Sequence, residues 1–346
     1  MLKLLFSIVF ILSLTQQANA LEISAPEVPV SGKHIMPENT ESFGDALLTM
    51  ADNALSRLYP ELREAMSTAA TIVSTALLIS ALRIFSGNLE SLTDFIGIVI
   101  ISGILLSSAN TMIQLGSRTV FELSSYGKLL TPVMASAAAA QGQVASSAAI
   151  YMGTAFFDAI LGNLISNLLL PLLHMFLTLA VASCAIGEEF LKKICTMLKN
   201  CISWCLKTLL IIFTTYLSVT GVVSGTTDAA ALKAAKVTFS TVVPVVGGIL
   251  SDASEAVLVS AGVLKNAAGV YGILAAIAVI LEPFLKIGAQ YLILKFTSAI
   301  CSLVGTKRIT ELTEHISSAM GLLLAMTGAE CVLLLISTFC FMKGIG

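Results

Sequence analysis

The sequence is dominated by apolar stretches that are as long as a lipid bilayer is thick. About 20 apolar residues in a helix cross the hydrocarbon core, and only helices and closed barrels satisfy their backbone groups there. These stretches predict an all-α polytopic membrane protein with about six to eight transmembrane helices, supplemented by amphipathic and re-entrant segments. The clearest stretches are 67–82, 95–115, 150–170, 204–223, 284–304 and 316–341.

Charged residues are too few to cover a water-facing surface. They make up 12% of the chain, and hydrophobic residues make up 56%, whereas soluble domains carry about 25% charged residues. The formal net charge of −2 at pH 7 excludes a strongly basic nucleic-acid binder. We therefore expect the protein to lie in the lipid bilayer of the cell membrane. We expect no nucleic-acid partner.

The first 20 residues have the pattern of a secretory signal peptide. Lys3 precedes an apolar run at 4–14, and Ala18 and Ala20 supply the small residues of a cleavage site. We expect cleavage after Ala20, so that residues 21–66 begin outside the cytoplasm. An uncleaved anchor is the alternative, although the apolar run is short for a span.

Residues 21–66 divide into two parts by composition. Prolines 26, 29 and 37 predict a flexible tether in the first part. Apolar residues at helical spacing predict an amphipathic helix at 42–66, which lies on the membrane surface or against a partner. A first span and its cytoplasmic loop follow at 67–94.

Two proline pairs mark a candidate internal duplication. Pro132 and Pro244 are 112 residues apart, and so are Pro171 and Pro283. This offset divides the rest of the chain into a first membrane repeat at 95–206 and a second at 207–346. Duplicated halves are common in membrane transport proteins.

Basic segments constrain the topology. Lysines between 192 and 207 and the pair Lys307 and Arg308 predict cytoplasmic surfaces. Both segments lie inside only if the chain crosses the membrane an odd number of times between 116 and 187, and again between 225 and 305. A re-entrant segment or an additional span in each region would supply that number, and hydropathy does not choose between them.

The stretch at 241–272 is too polar for a simple span and too apolar for a surface loop. Asp252 and Glu255 have the spacing of an N-cap and its capping-box partner, so a helix is predicted to start at Asp252. The preceding segment predicts a non-spanning or re-entrant hairpin whose free backbone groups need protein partners. We expect it to form a pore-lining or assembly surface with the following residues: Pro244, Gly247, Gly248, Asp252, Glu255, Lys265 and Asn266.

Ionisable residues within apolar segments are functional candidates, because burying a charge in lipid is unfavourable. Glu282 and Lys286 have i,i+4 spacing, and Pro283 removes a backbone hydrogen bond at the same place. They form either a broken helix beside a hydrated path, or else a neutralised packing pair or a membrane-interface position. The other ionisable residues of this kind are Asp158, His174, Lys295 and Glu330.

Two further features predict helix packing. Asp158 shares its apolar segment with Asn163 and Asn167, and such polar groups can hydrogen-bond between helices. Gly221 and Gly225 form a GxxxG pattern, in which small residues let two helices approach closely. This pattern is the candidate contact for a homo-oligomer.

Enzymatic signatures are absent from the sequence. It contains no phosphate-binding GxxxxGK[ST], no HExxH, no GxSxG and no dinucleotide-binding glycine pattern. We therefore expect no catalytic residue, no metal site and no cofactor.

The stretch at 226–272 resembles the stage III sporulation protein AE family. It reads TTDAAALKAAKVTFSTVVPVVGGILSDASEAVLVSAGVLKNAAGVYG, and the resemblance rests on VPVVGG, SDASEA and LKNAAGVYG. The likeness is close from 204 to 346, is mainly one of layout from 67 to 203, and is weakest in the N-terminal tether.

The resemblance implies a role in endospore formation. It implies a membrane subunit of a secretion-like channel complex in the mother-cell-derived membrane around the forespore. The implied partners are the other stage III A operon membrane proteins, the ring-forming subunits, a secretion-type ATPase and a forespore membrane protein. An autonomous secondary transporter that uses Glu282 and Lys286 is one alternative, and a membrane scaffold that only holds other subunits is another.

Overall fold

The computed structural model describes residues 26–37, 42–86, 90–242 and 247–343, with the backbone alone at 86, 220–265 and 343. The signal peptide predicted at 1–20 lies outside these residues. Within them all regular secondary structure is helical, without a strand. Its helices are α1 (Phe43–Ser86), α2 (Glu90–Ala140), α3 (Val144–Leu164), α4 (Leu170–Ile186), α5 (Glu189–Val242), α6 (Gly247–Val304) and α7 (Lys307–Lys343).

Six helical segments of the described chain are long and apolar enough to cross a membrane, because α3 and α4 form one segment from Val144 to Ile186. A π-helical turn at Ile165–Leu169 joins them just before Pro171. Proline cannot donate to the carbonyl four residues earlier, and a π-helical turn absorbs that defect without ending the helix. The two apolar stretches on either side of Pro171 therefore form a single helical segment, which is a single candidate span.

The same holds on either side of Pro283, which lies inside the continuous helix α6. Beyond α2, the structure thus shows one helical segment that is long and apolar enough to cross before 187, and beyond α5 another before 305. One crossing by each would give the odd number that the basic segments require, and the re-entrant hairpin, which falls partly on residues outside the described chain, stays a prediction. The proposed 112-residue duplication remains a prediction.

The long helices extend well beyond a bilayer. Helix α6 has 58 residues, which corresponds to about 87 Å at 1.5 Å per residue. The hydrocarbon core is about 30 Å thick, and transmembrane helices tilt by at most about 40°. A large part of α6 must therefore lie outside the hydrocarbon region.

Helix α1 joins two segments that the sequence separates. Ser42 starts the helix, because its hydroxyl oxygen accepts a hydrogen bond from the Asp45 amide at 3.2 Å. The helix then continues through Pro60 to Ser86. The predicted amphipathic helix and the first span are therefore one rod, which packs against α2 and α6 of the same chain.

Residues 26–37 correct the prediction of a flexible tether. They form turns against the bundle, and the Ile35 side chain is fully buried. It packs with Ala46, Met50 and Ala54 of α1 and with Leu274 and Ala278 of α6. An apolar side chain at this position fills the groove between the two helices, which fixes the preceding turn.

Helix α7 is the centre of the bundle. It packs against α2, α3, α4, α5 and α6. Small residues allow close approach: a Cβ atom placed on Gly116 of α2 would lie 2.7 Å from the Leu323 side chain of α7. This is the small-residue packing expected between helices in a membrane, where close van der Waals contact replaces the hydrophobic effect.

Candidate functional site: an ion cluster and polar groove between α1, α2 and α6

The predicted pair Glu282 and Lys286 forms an ion pair and has a third member. The Lys286 ammonium lies 3.1 Å from Glu282 Oε1 and 2.9 Å from Glu61 Oε1. The lysine and Glu282 side chains are 18% and 19% exposed, and Glu61 is 42% exposed. We call these three residues the ion cluster, and it ties the N-terminal half of α1 to α6.

Pro283 does not break the helix at this cluster. Helix α6 runs without interruption from Gly247 to Val304. Of the two arrangements left open by the sequence, the structure shows the paired one. Sequence reasoning missed Glu61, because it lies 225 residues away from Lys286 on a segment assigned to the membrane surface.

A polar groove lies beside the ion cluster. Its volume is about 360 Å³. Polar side chains from α1, α2 and α6 line it: Glu61, Glu64, Thr68, Ser107, Ser108, Thr111 and Gln290. The Gln290 amide donates to the Ser108 hydroxyl oxygen at 3.0 Å and so bridges α6 and α2.

The groove has the chemistry of a hydrated surface inside a membrane protein. Its hydroxyl, amide and carboxylate groups can hold water. Such groups are rare on helices that face lipid alone.

Asp158 also has a partner that the sequence did not identify. The Ser124 hydroxyl of α2 donates to Asp158 Oδ2 of α3 at 3.0 Å, and Glu330 of α7 lies within hydrogen-bonding reach of Asp158. Asp158 therefore does join helices. Asn163 and Asn167 do not take part, because both are exposed and bond within their own helix.

The segment with the strongest family resemblance is only partly described. Helix α5 ends at Val242 and α6 begins at Gly247, so Pro244 lies outside the described residues. The helix starts at Gly247 and continues through Gly248, and the predicted start at Asp252 is therefore wrong. Asn266 is exposed.

For the other predicted residues of this region, only the backbone is described. Asp252, Glu255 and Lys265 lie within α6, and Gly221 and Gly225 lie within α5. Their predicted roles in a pore, in assembly or in an oligomer contact stay predictions.

A charged pocket brings together three turns at one end of the bundle. Residues beside the α1–α2, α4–α5 and α6–α7 connections line a cavity of about 370 Å³. Lys192 lies 2.9 Å from Glu311 Oε2, and Arg83 lies 3.1 Å from Glu90 Oε2. The two basic segments thus lie at the same end of the bundle, as their predicted location on one side of the membrane requires.

Gly187 shapes this pocket. It ends α4 with a left-handed φ of 85° and donates its amide to the Ser183 carbonyl at 2.8 Å. A Cβ atom there would lie 2.9 Å from the Arg308 guanidinium. With glycine in place, Arg308 reaches the Ala185 carbonyl at 3.2 Å and satisfies the end of the helix.

These features define a polytopic all-α membrane protein with a packed bundle, a polar groove within it and a charged end. The sequence model of stage III sporulation protein AE matches residues 36–343, and the chain belongs to that family. The match covers the entire bundle from α1 to α7.

One curated relative is stage III sporulation protein AE of Bacillus subtilis (strain 168), with 25% identity over 215 residues. This alignment covers 62% of the present chain and 54% of the relative, so the chain spans about half the length of that relative. No solved structure matches the chain.

Proposed function

We propose that this membrane protein is an integral subunit of the secretion-like channel complex between mother cell and forespore, required for endospore development. The observation that carries the proposal is the family match over residues 36–343, because it includes every helix of the bundle. The protein would lie in the mother-cell-derived membrane around the forespore. Its role would be that of a conduit or a structural component, without catalysis.

The architecture supports a subunit that works with other chains. The sequence has no nucleotide-binding motif, so energy for transport has to come from a separate ATPase. The expected partners are the other stage III A operon membrane proteins, the ring-forming subunits and a forespore membrane protein. The long helices reach beyond the bilayer, which gives such partners surfaces to contact.

Autonomous transport has less support. That alternative required a broken helix at Pro283, and α6 is continuous there. In addition, Lys286 is neutralised by two glutamates in a packed contact. We therefore do not propose a transporter that works alone.

Deletion of the gene in the spore former that carries it tests the proposed role. Sporulation should stop after engulfment, and a plasmid copy should restore it. Crosslinking in sporulating cells should join the protein to other products of the operon. Normal heat-resistant spores after deletion, or crosslinks only to unrelated proteins, would contradict the proposal.

Filling the polar groove separates a conduit from a scaffold. If the protein is a conduit, Ser108→Leu should block sporulation while the crosslinks to operon partners persist. Ile100→Leu is the matched control, because Ile100 is exposed on the same helix. Full sporulation of the Ser108→Leu strain would assign the protein a scaffold role.

A further inference from the structure

Three helices meet around two carboxyl groups in the interior of the bundle. Gly127 of α2 lies at the junction, because a Cβ atom there would be 3.7 Å from Asp158 Oδ1 of α3 and 3.2 Å from Leu334 of α7. Glu330 lies one helical turn before Leu334, and its carboxyl group is within hydrogen-bonding reach of Asp158. We call Asp158 and Glu330 the carboxyl pair.

The carboxyl pair is almost completely buried. Asp158 is 7% exposed and Glu330 is 1% exposed. Asp158 accepts a hydrogen bond from Ser124. Glu330 Oε2 is buried and has no hydrogen-bond partner among the described residues. A buried oxygen of this kind is unfavourable unless something supplies a donor.

The surroundings of the carboxyl pair do not balance two negative charges. The ionisable groups that act on Glu330 are Asp158 on α3 and Lys128 on α2, and Cys331 adjoins it on α7. Two carboxylates in contact within a low dielectric do not both ionise. Lys128 is exposed, and burial disfavours a second negative charge at the pair, so at least one of the two carboxyl groups is neutral.

We propose that Asp158 and Glu330 form a proton-binding site, in which the two carboxyl groups hold one proton between them. The proton supplies the donor that the buried oxygen lacks, and it lets α3 and α7 pack without like-charge repulsion. A metal cation is a poorer occupant, because no group of three potential ligands from histidine, cysteine, aspartate and glutamate occurs in the described chain.

Dicyclohexylcarbodiimide tests the site in the purified full-length protein in detergent micelles. This apolar reagent adds to protonated carboxylic acids, and the O-acylisourea then rearranges to a stable N-acylurea that mass spectrometry locates. We expect attachment at Glu330 or Asp158 at neutral pH. Once the proton is released at alkaline pH, the rate should fall about tenfold per pH unit, as for one titrating group.

Two variants test whether Asp158 and Glu330 share the proton. Asp158→Asn should move the loss of Glu330 labelling to lower pH, because Glu330 then ionises without a neighbouring carboxylate. Glu282→Gln, in the separate ion cluster, should leave that labelling unchanged. Thermal unfolding should first establish that both variants are folded.

Four results would overturn the proposal. They are the absence of attachment at both residues, attachment that does not depend on pH, an unchanged pH dependence of Glu330 labelling in Asp158→Asn, and protection at constant pH by sodium but not by choline. The last result would assign the pair to a sodium ion instead of a proton.

Discussion

Helices α7 and α1 are both apolar enough to cross a membrane, yet their surroundings are opposite. In α7, 61% of the most apolar stretch is buried inside the protein, against 17% in α1. Helix α7 contacts five other helices, whereas α1 contacts α2 and α6. An apolar residue in this chain can therefore face either protein or lipid. Hydropathy shows that the residue is kept from water and does not distinguish these two surroundings.

The two helices are also held in place by different forces. Leu323 of α7 fills the space above Gly116 and is 1% exposed. Leu78 of α1 is 62% exposed and faces away from the bundle. The first half of α1 is instead held by the Ile35 contact and by the ion cluster at Glu61, while Ile72, Ala76 and Ile79 join its second half to the core. The bundle centre therefore depends on shape, and the first half of α1 depends more on a few specific contacts.

The largest loss of stability is expected from Leu323→Ala in α7. It should lower the free energy of unfolding by about 2–5 kcal/mol, because the helices around α7 cannot collapse fully into the cavity. Leu78→Ala is the control and should have almost no effect, because lipid replaces the lost contacts. Titration of the purified protein in mixed micelles with dodecyl sulfate measures both. Equal losses would refute the assignment of Leu78 to lipid.

The second-largest loss of stability is expected from overpacking at Gly116. Gly116→Leu places a large side chain against Leu323 and should cost about 1–3 kcal/mol. Gly103→Leu on the same helix is the control, because a Cβ atom at Gly103 meets nothing within 4 Å. The same titration measures both variants. In Gly116→Leu/Leu323→Ala the two losses should not add, because the new leucine occupies the vacated space.

The ion cluster should matter less than the core and should affect α1 selectively. Lys286→Met leaves Glu61 and Glu282 without their shared cation, and we expect a loss of about 1–3 kcal/mol. Lys33→Met is the control and should cost less than about 1 kcal/mol, because Lys33 and Glu27 form an exposed pair. Hydrogen exchange should show the extra opening in the first half of α1. Uniform opening of all helices would contradict the local role.

The smallest effect is expected for a single hydrogen bond between helices. The Thr154 hydroxyl of α3 donates to the Ser337 hydroxyl oxygen of α7 at 3.0 Å. Thr154→Val removes it at nearly constant volume and should cost about 0.6 kcal/mol. Thr71→Val is the control, because Thr71 is exposed and bonds within α1. A loss in Thr154→Val as large as that of Leu323→Ala would contradict the view that shape dominates the centre.

The sequence predicts local features of the fold well. The membrane class, the range for the number of spans and the shared location of the basic segments all follow from runs of neighbouring residues. Glu282 and Lys286 were paired correctly, because i,i+4 spacing in a helix fixes their distance. The helix start near Asp252 was predicted wrongly, because the capping pattern also occurs within a helix that begins at Gly247.

The candidate sites were predicted only in part, because their partners are distant in sequence. Glu61 completes the ion cluster from the other end of the chain, and Glu330 faces Asp158 from a different helix. The burial of Ile35 likewise depends on a groove that forms only when α1 and α6 pack together. No periodicity within one segment contains that information.

The sequence by itself determined that this chain enters a membrane, that its spans are helices, and that its two basic segments share one end of the bundle. These properties follow from the free energy of transfer between water and lipid, which depends on residue type and local spacing. Only the tertiary structure decided which apolar faces meet protein, which polar groups meet each other, and that α7 is central and α1 peripheral. Lipid and a protein interior are equally apolar, so close packing and long-range pairing alone distinguish them.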